Sequence, residues 1–371
     1  MTALTRLSLT DFRNYASLVL PLDGRHVCLY GANGAGKTNL LEAVSQLGPG
    51  RGLRSSTLPE MSRTGTSTGW TVAATLADER KVGVTLDTSG GSAKRVVRID
   101  GAPATATDLA DLIRIVWLTP NMDGVFRGSA SDRRRFFDRL VLAHIPSHAT
   151  ASSRYERAMR ERNALLERGH VDPAWADSIE VKLAESGAEI AINRAQVIEL
   201  LQAAIEARPE GHFPKADVSL EGAAESAAVK GEDFRHIFDL LVETYRTTRR
   251  RDMAAGRTID GPHRSDLAVI HRPTGAPAKD ASTGQQKALL IGLILASATA
   301  LKAERDGPPP LLLLDEAAAH LDPDRRAALF DELAALGGQA WLTGTEKFLF
   351  EAFGDRAQCL RVDGGTISSG D

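Results

Sequence analysis

Apolar and polar residues alternate from Leu4 to Leu20 in LTRLSLTDFRNYASLVL, a period that predicts two strands around a turn. HVCLYG at 26–31 is a short, mostly apolar run ending in glycine, read as a strand with a helix behind it. Between Trp70 and Asp100 the runs WTVAATLAD, RKVGVTLDT and KRVVRID alternate again, with a turn expected at Gly90 and Gly91; this predicts a small antiparallel sheet. From about Ser131 to Ala255 the period becomes helical. Ile179, Leu183, Ile190, Val197, Leu201 and Ile205 recur at three- and four-residue spacing, and Trp175 to Ala207 reads as one long helix stopped by Pro209, Gly211 and Pro214. Strand character returns only at LAVIHRP, followed by a polar corner, a helix and the apolar strand LLLLDE. The expected organisation is α/β: a head of residues 1–125 and 258–371, holding a mixed sheet with helices plus a small antiparallel sheet, and an inserted helical arm of residues 126–257.

Composition narrows the class. A chain of 371 residues that is 43% apolar and 25% charged is that of a soluble globular protein. The uncharged run Ala288–Leu301 falls short of the roughly 18 to 20 apolar residues a bilayer crossing requires. The N-terminus has no apolar core of a signal peptide, so a cytoplasmic protein is expected. Cys28 and Cys359 are too few for a disulfide framework or zinc cluster and are read as buried apolar residues. A net charge of −3 gives no global attraction to nucleic acid, which leaves local basic patches.

The chemistry begins at GANGAGKT. Gly31, Ala32, Asn33, Gly34, Ala35, Gly36, Lys37 and Thr38 match G-x-x-x-x-G-K-[ST] between a strand and the helix that continues through Asn39. Backbone N–H groups of such a loop curl around phosphate oxygens, Lys37 reaches the terminal phosphates and Thr38 ligates Mg²⁺. ATP and Mg²⁺ are therefore the expected cofactors. In PPPLLLLDEAAAHLD, 308–322, a buried strand ends in two carboxylates: Asp315 is expected on the metal and Glu316 as general base on the attacking water. About 30 residues upstream stands Ser282-Thr283-Gly284-Gln285, opening a helix. That is the layout of an ABC-class ATPase, in which Ser282, Gly284 and Gln285 bind the γ-phosphate of nucleotide held by a second subunit, and Asp322 in HLDPDRR faces the partner. Which of Gln285 and Gln286 faces the nucleotide stays open.

With these motifs the sequence resembles the RecF family, bacterial recombination mediators of the ABC class related to SMC heads. FRNY (12–15), KTNLLEA (37–43), RRRFFD (133–138), RYERAMRERNALL (154–166), GPHRSDL (261–267) and STGQQK (282–287) carry the likeness by their order and spacing, together with the absence of long paired arms. The resemblance implies an ATP-dependent homodimer that binds double-stranded DNA, favours gapped or junction DNA, and works with RecR and RecO to place RecA on single strands. It also implies that Arg13 and Asn14 sit beside the adenine or ribose; the alternative is that FRNY only packs under the sheet. Ser265 stands where the family has Asp after GPHR, and WLTPNMDGVF departs from the family's Pro-Glu-Asp segment. At the position of the ABC switch histidine, WLTGTEK offers Thr343 and Thr345. His263 is either a sensor of nucleotide or partner or a satisfied interfacial histidine.

Arginine clusters are the candidate DNA contacts. Arg133, Arg134 and Arg135, and Arg249, Arg250 and Arg251, are expected to bind phosphates without reading bases, and 249–251, with no carboxylate between Glu243 and Asp252, are read as a DNA contact or an interface. For 154–168, pairing with Glu156, Glu161 and Glu167 at helical spacing predicts a solvated face. The rival function is the nucleotide-binding subunit of an ABC transporter, which shares the motifs but carries a shorter helical subdomain and the switch histidine.

Overall fold

The computed structural model describes residues 3–66, 69–89, 92–168, 172–304, 309–319 and 321–369. The turn expected at Gly90 and Gly91, Pro308 and His320 lie outside these residues. The chain forms two compact units: residues 1–123, 209–213 and 290–371, and residues 124–208 and 214–289.

The first unit holds two sheets. β1 (Leu4–Phe12) and β2 (Tyr15–Pro21) form the expected hairpin, and the chain then enters β3 (His26–Tyr30) and α1 (Lys37–Ser45). β4 (Thr71–Leu76), β5 (Lys81–Asp87), β6 (Lys94–Ile99) and β7 (Ala102–Ala104) join the hairpin in a six-stranded antiparallel sheet ordered β2-β1-β4-β5-β6-β7. Period-two patterning buries one face: Leu7, Leu9, Phe12, Val72, Val84 and Leu86 are each 1% exposed or less. α2 (Ala106–Leu112), capped by Thr105 and Asp108 in a reciprocal box, leads to β8 (Ile115–Leu118).

The second unit is helical, with a small sheet. It runs through α3 (Ala130–His144), α4 (His148–Leu166), α5 (Pro173–Ala207), β9 (Ala216–Glu221), α6 (Ala223–Val229), α7 (Phe234–Ala255), β10 (Asp266–His271), β11 (Ala276–Pro277) and the start of α8 (Thr283–Ala303). α5 spans 35 residues, as its periodicity predicts; Asp172 caps it, Pro173 takes the first-turn position, and it ends before Pro209. Residues 258–289, expected with the head, count with this unit because β10 pairs along its length with β9. β9 interrupts a stretch read as almost entirely helical; its positions alternate between exposed and buried or half-buried over only six residues between two helices.

Two buried arginines tie these helices together. Arg162 donates to Glu180 (3.0 Å), Asp252 (2.6 Å), Thr258 (2.8 Å) and the Tyr245 carbonyl (2.9 Å). Arg194 donates to Asp138 (2.7 and 2.9 Å), Glu225 (2.6 Å), Ser265 (2.8 Å) and the Pro262 carbonyl (2.8 Å). Burial pushes the Asp138 carboxyl up, but Arg194 overcomes it and holds the group below the usual carboxylate range.

The chain returns to the first unit with β12 (Leu311–Leu314), α9 (Pro323–Leu336), β13 (Ala340–Gly344), β14 (Ala357–Asp363) and β15 (Thr366–Ser369). The second sheet is ordered β15-β14-β3-β13-β12-β8 and is parallel except at β15. α8 has the length and composition of a membrane span, yet 83% of its most apolar window is buried in protein, so it is a core helix.

Candidate nucleotide site

The parallel sheet places three strand ends together. β3 delivers the phosphate loop, β12 delivers Asp315 and Glu316, and β13 between them delivers Thr343. Gly31 has φ of 147° and a Cβ there would meet the Val362 carbonyl oxygen at 2.2 Å, so only glycine allows the strand to turn into the loop. Gly36, at φ of 114°, leaves no room for a side chain beside Asn14 and the Tyr15 hydroxyl. Ala32, Asn33 and Gly34 are exposed at the loop's crest. Lys37 is 5% exposed, and its Nζ donates to the carbonyls of Gly31 (2.6 Å) and Ala32 (2.8 Å). Burial lowers its pKa, while Glu316 and Asp315 oppose that shift.

Thr38 Oγ1 donates to Asp315 Oδ1 at 3.1 Å, and the fully buried Thr343 Oγ1 donates to the same oxygen at 2.7 Å. The Glu316 N–H in turn donates to Thr343 Oγ1 at 2.9 Å. One hydroxyl thus orients both carboxylate residues. Glu316 has a left-handed backbone, φ of 53°, which is costly for a residue with a side chain. The hydroxyl of Thr38 and the carboxylate of Asp315 are hard oxygen donors within hydrogen-bond reach of each other, a donor set that suits Mg²⁺. The sequence flagged Thr343 only for lacking a histidine; its link to both acids depends on β13 lying beside β12.

Asn14 is exposed beside Gly36, and its side-chain oxygen accepts from Asn39 Nδ2 at 2.7 Å. Arg13 differs from the expectation of a nucleotide contact. Its guanidinium forks onto the buried Glu42 (2.8 and 2.7 Å) and donates to Ser56 (2.7 Å) and the Glu60 carbonyl (2.6 Å), which uses four donor bonds inside the protein. Glu42 lies on the core face of α1 and needs that counter-charge, which Arg54 supplements at 3.1 Å.

In the second unit, Ser282, Thr283 and Gly284 are exposed at the start of α8. Ser282 and Gln285 form a reciprocal cap: the Gln285 N–H donates to Ser282 Oγ (3.3 Å) and the Ser282 N–H to Gln285 Oε1 (2.9 Å). Gln286 is buried and donates to the carbonyls of Lys279 (3.1 Å) and Ala281 (2.8 Å), so it serves its own loop. Asp322 caps α9, accepting from the Arg325 N–H at 2.8 Å, and stays exposed; that hydrogen bond lowers its pKa.

His263 is a satisfied histidine. Its Nε2 lies 3.0 Å from the Thr258 carbonyl, which can only accept, so the proton sits there and Nδ1 accepts from the Tyr155 hydroxyl at 2.8 Å. Burial lowers its pKa to about 4, which keeps the ring neutral at physiological pH. Ser265 is buried against Arg194 and the Pro262 carbonyl.

Three of the six candidate DNA-binding arginines, Arg133, Arg134 and Arg249, are spent internally. Arg133 forks onto Asp266 (2.8 and 2.6 Å) and Arg134 donates to the Ser265 carbonyl (2.6 Å). Arg249 binds Glu180 and Asp177, Arg251 pairs with Asp260, and the exposed Arg135 pairs with Asp132. Arg250 is exposed with no ion pair among the described residues. In 154–168, Arg160 sits 3.9 Å from Glu156, and Arg154 pairs with Glu189 of α5.

Residues 3–352 match the family described as RecF/RecN/SMC N terminal domain. The chain is 52% identical over 377 residues to the DNA replication and repair protein RecF of Brucella suis biovar 1 (strain 1330), covering 99% of this chain and 96% of that protein. It is 50% identical to RecF of Allorhizobium ampelinum, covering 99% of each. Among solved structures, one of the recombination mediator protein RecF in the RecFOR pathway superposes with a TM-score of 0.83 at 23% identity over 100% of both chains. An Smc head bound to the C-winged helix domain of ScpA superposes with a TM-score of 0.51 at 14% identity over 99% of this chain and 97% of that one, a likeness of fold. These matches favour the ABC-type head with a helical arm over a transporter subunit, and the chain belongs to the RecF family of DNA replication and repair proteins.

Proposed function

We propose that the protein is an ATP-operated DNA clamp of recombinational repair. Each head binds Mg-ATP at its phosphate loop, with Thr38 and Asp315 on the metal, Lys37 on the terminal phosphates and Asn14 beside the nucleoside. Two heads then close, and Ser282, Gly284 and Asp322 of one copy complete the site of the other. The observation that carries this reading is the pairing of a formed phosphate-loop site with an exposed helix start at Ser282–Gly284, whose Ser282 O–H proton remains available to a phosphate oxygen. When bound, ATP supplies the phosphate charge that both copies grip, so nucleotide shifts the monomer–dimer balance by its differential affinity for the dimer.

Glu316 then takes a proton from the attacking water, and its backbone is set for that by Thr343. Weak, DNA-stimulated hydrolysis opens the clamp. The family likeness supports duplex DNA at gaps and junctions as the substrate, and RecR and RecO as partners in loading RecA. The deciding experiment is light scattering on apo protein, on protein with ATP, and on protein with ATP and gapped duplex. A monomer in all three states sinks the clamp.

A further inference from the structure

The six-stranded antiparallel sheet buries one face, while the described residues of the other are half-buried or exposed, as its alternating burial shows. Strand register lines up the residues of that open face. Thr10 lies opposite Thr71, Thr71 opposite Thr85, Ser8 opposite Ala73, and Ala73 opposite Gly83. The centre is therefore flat, short and hydroxyl-bearing, and the Thr71 and Thr85 hydroxyls share a hydrogen bond at 3.2 Å.

Around this centre stand Arg6, Lys81, Lys94 and Arg98, all exposed. Arg98 donates to the Gly101 carbonyl at 2.9 Å, and Arg6, Lys81 and Arg98 close no ion pair among the described residues. Two carboxylates share the face in register with the lysines. Asp87, opposite Lys94, is turned onto the Ser89 N–H (2.9 Å) and hydroxyl (2.7 Å), and Asp100 accepts from the Lys81 N–H at 2.7 Å. Four cations against two carboxylates make this face positive on a chain whose net charge is −3.

The chemistry selects among occupants. Protein interfaces are anchored by aromatic and large apolar side chains; among the described residues this face has no aromatic, and its apolar members are the small Val96, opposite Thr85, and Val19, opposite Ser8 towards the edge. Single strands are held by stacking on aromatic rings, which are absent here too. Hydroxyls and unpaired cations on a flat surface are phosphate donors. From β1 to β6 the four strands that carry these groups span about 14 Å at their usual spacing, a length of duplex that carries about eight phosphate charges. We infer that the open face of this sheet, through Arg6, Lys81, Lys94 and Arg98, is a docking surface for the backbone of duplex DNA. The inference rests on the proposed DNA-binding function and assigns it a surface in the head in place of Arg133, Arg134 and Arg249, which are paired internally.

The test is fluorescence anisotropy of a labelled blunt duplex with Mg-ATP across a salt series, on wild type, on Arg6→Ala/Lys81→Ala/Arg98→Ala, and on Ala73→Lys. The triple variant is expected to bind more weakly and to flatten the slope of log affinity against log salt by about 2.7, or about 0.9 per lost contact. Ala73→Lys, at the centre, is expected to steepen it by about 0.9. Unchanged slopes in both variants, with wild type binding normally, overturn the assignment and leave the face to some other occupant. Failure of wild type to bind duplex at all overturns the proposed function instead. ATP-analogue binding reports folding, and Ala73→Lys carries the test if the triple variant fails that control.

Discussion

Replacing Thr343 by valine removes one buried oxygen and keeps the side chain's shape. That oxygen gives its proton to Asp315 at 2.7 Å and accepts the Glu316 N–H at 2.9 Å. Asp315 retains Thr38 at 3.1 Å, but the Glu316 N–H loses its acceptor, which costs about 1–3 kcal/mol. The left-handed conformation of Glu316 costs about 1–2 kcal/mol by itself. The two quantities match, so losing the hydroxyl removes what offsets the strain and frees Glu316 to relax out of position. Misplacing a catalytic group by about 1 Å lowers turnover on the order of 10²-fold. Thr343→Val is therefore expected to bind ATP nearly normally, to lose about 1–3 kcal/mol in urea unfolding, and to release phosphate about 100-fold more slowly in single-turnover assays. Thr343→Ser, which keeps the hydroxyl, should recover most of the rate. A valine variant that is folded and as fast as wild type, or a serine variant as slow as valine, refutes the positioning role.

Lys37→Ala should abolish binding of a fluorescent ATP analogue, since among the described residues no other cation donates within the loop; retained affinity would place the phosphates elsewhere. Glu316→Gln should slow turnover roughly 10² to 10⁴-fold with binding intact, the loss expected of a general base, and phosphate release decides it. Ser282→Arg should leave ATP binding unchanged yet keep the protein monomeric by light scattering when ATP is added; an ATP-dependent dimer would remove the shared site. Arg249→Ala should leave the salt slope of DNA binding alone and instead lower the free energy of urea unfolding by about 1–3 kcal/mol, because Glu180 is 1% exposed and keeps Arg162 alone as counter-charge among the described residues. A flattened salt slope with unchanged stability would restore the original assignment of Arg249 to DNA.

The reach of sequence reasoning follows from the range of the interactions involved. The phosphate loop, the hairpin, α5 and the apolar strand before Asp315 are set by residues within a few positions of one another, so their periods and motifs can be read in line. β8 and β9 are four and six residues long and take their identity from partners far along the chain, β12 and β10. The arginine runs mislead for the same reason. Between Glu243 and Asp252 the sequence around Arg249 holds no carboxylate, yet Asp177 and Glu180 reach it from α5, 72 and 69 residues away. Arg133 meets Asp266 across 133 residues, and Arg13 meets Glu42 across 29. A cation is free only if the fold brings no acid to it. In strands the same logic favours the opposite result, because Arg6, Lys81 and Arg98 point outward from a sheet on which the residues paired with them are Pro21 and Thr75, Thr75, and Gly83 and Pro103, none of them an acid. Scattered singly along three strands, they form no run that a linear reading would notice, and only strand pairing gathers them onto one surface.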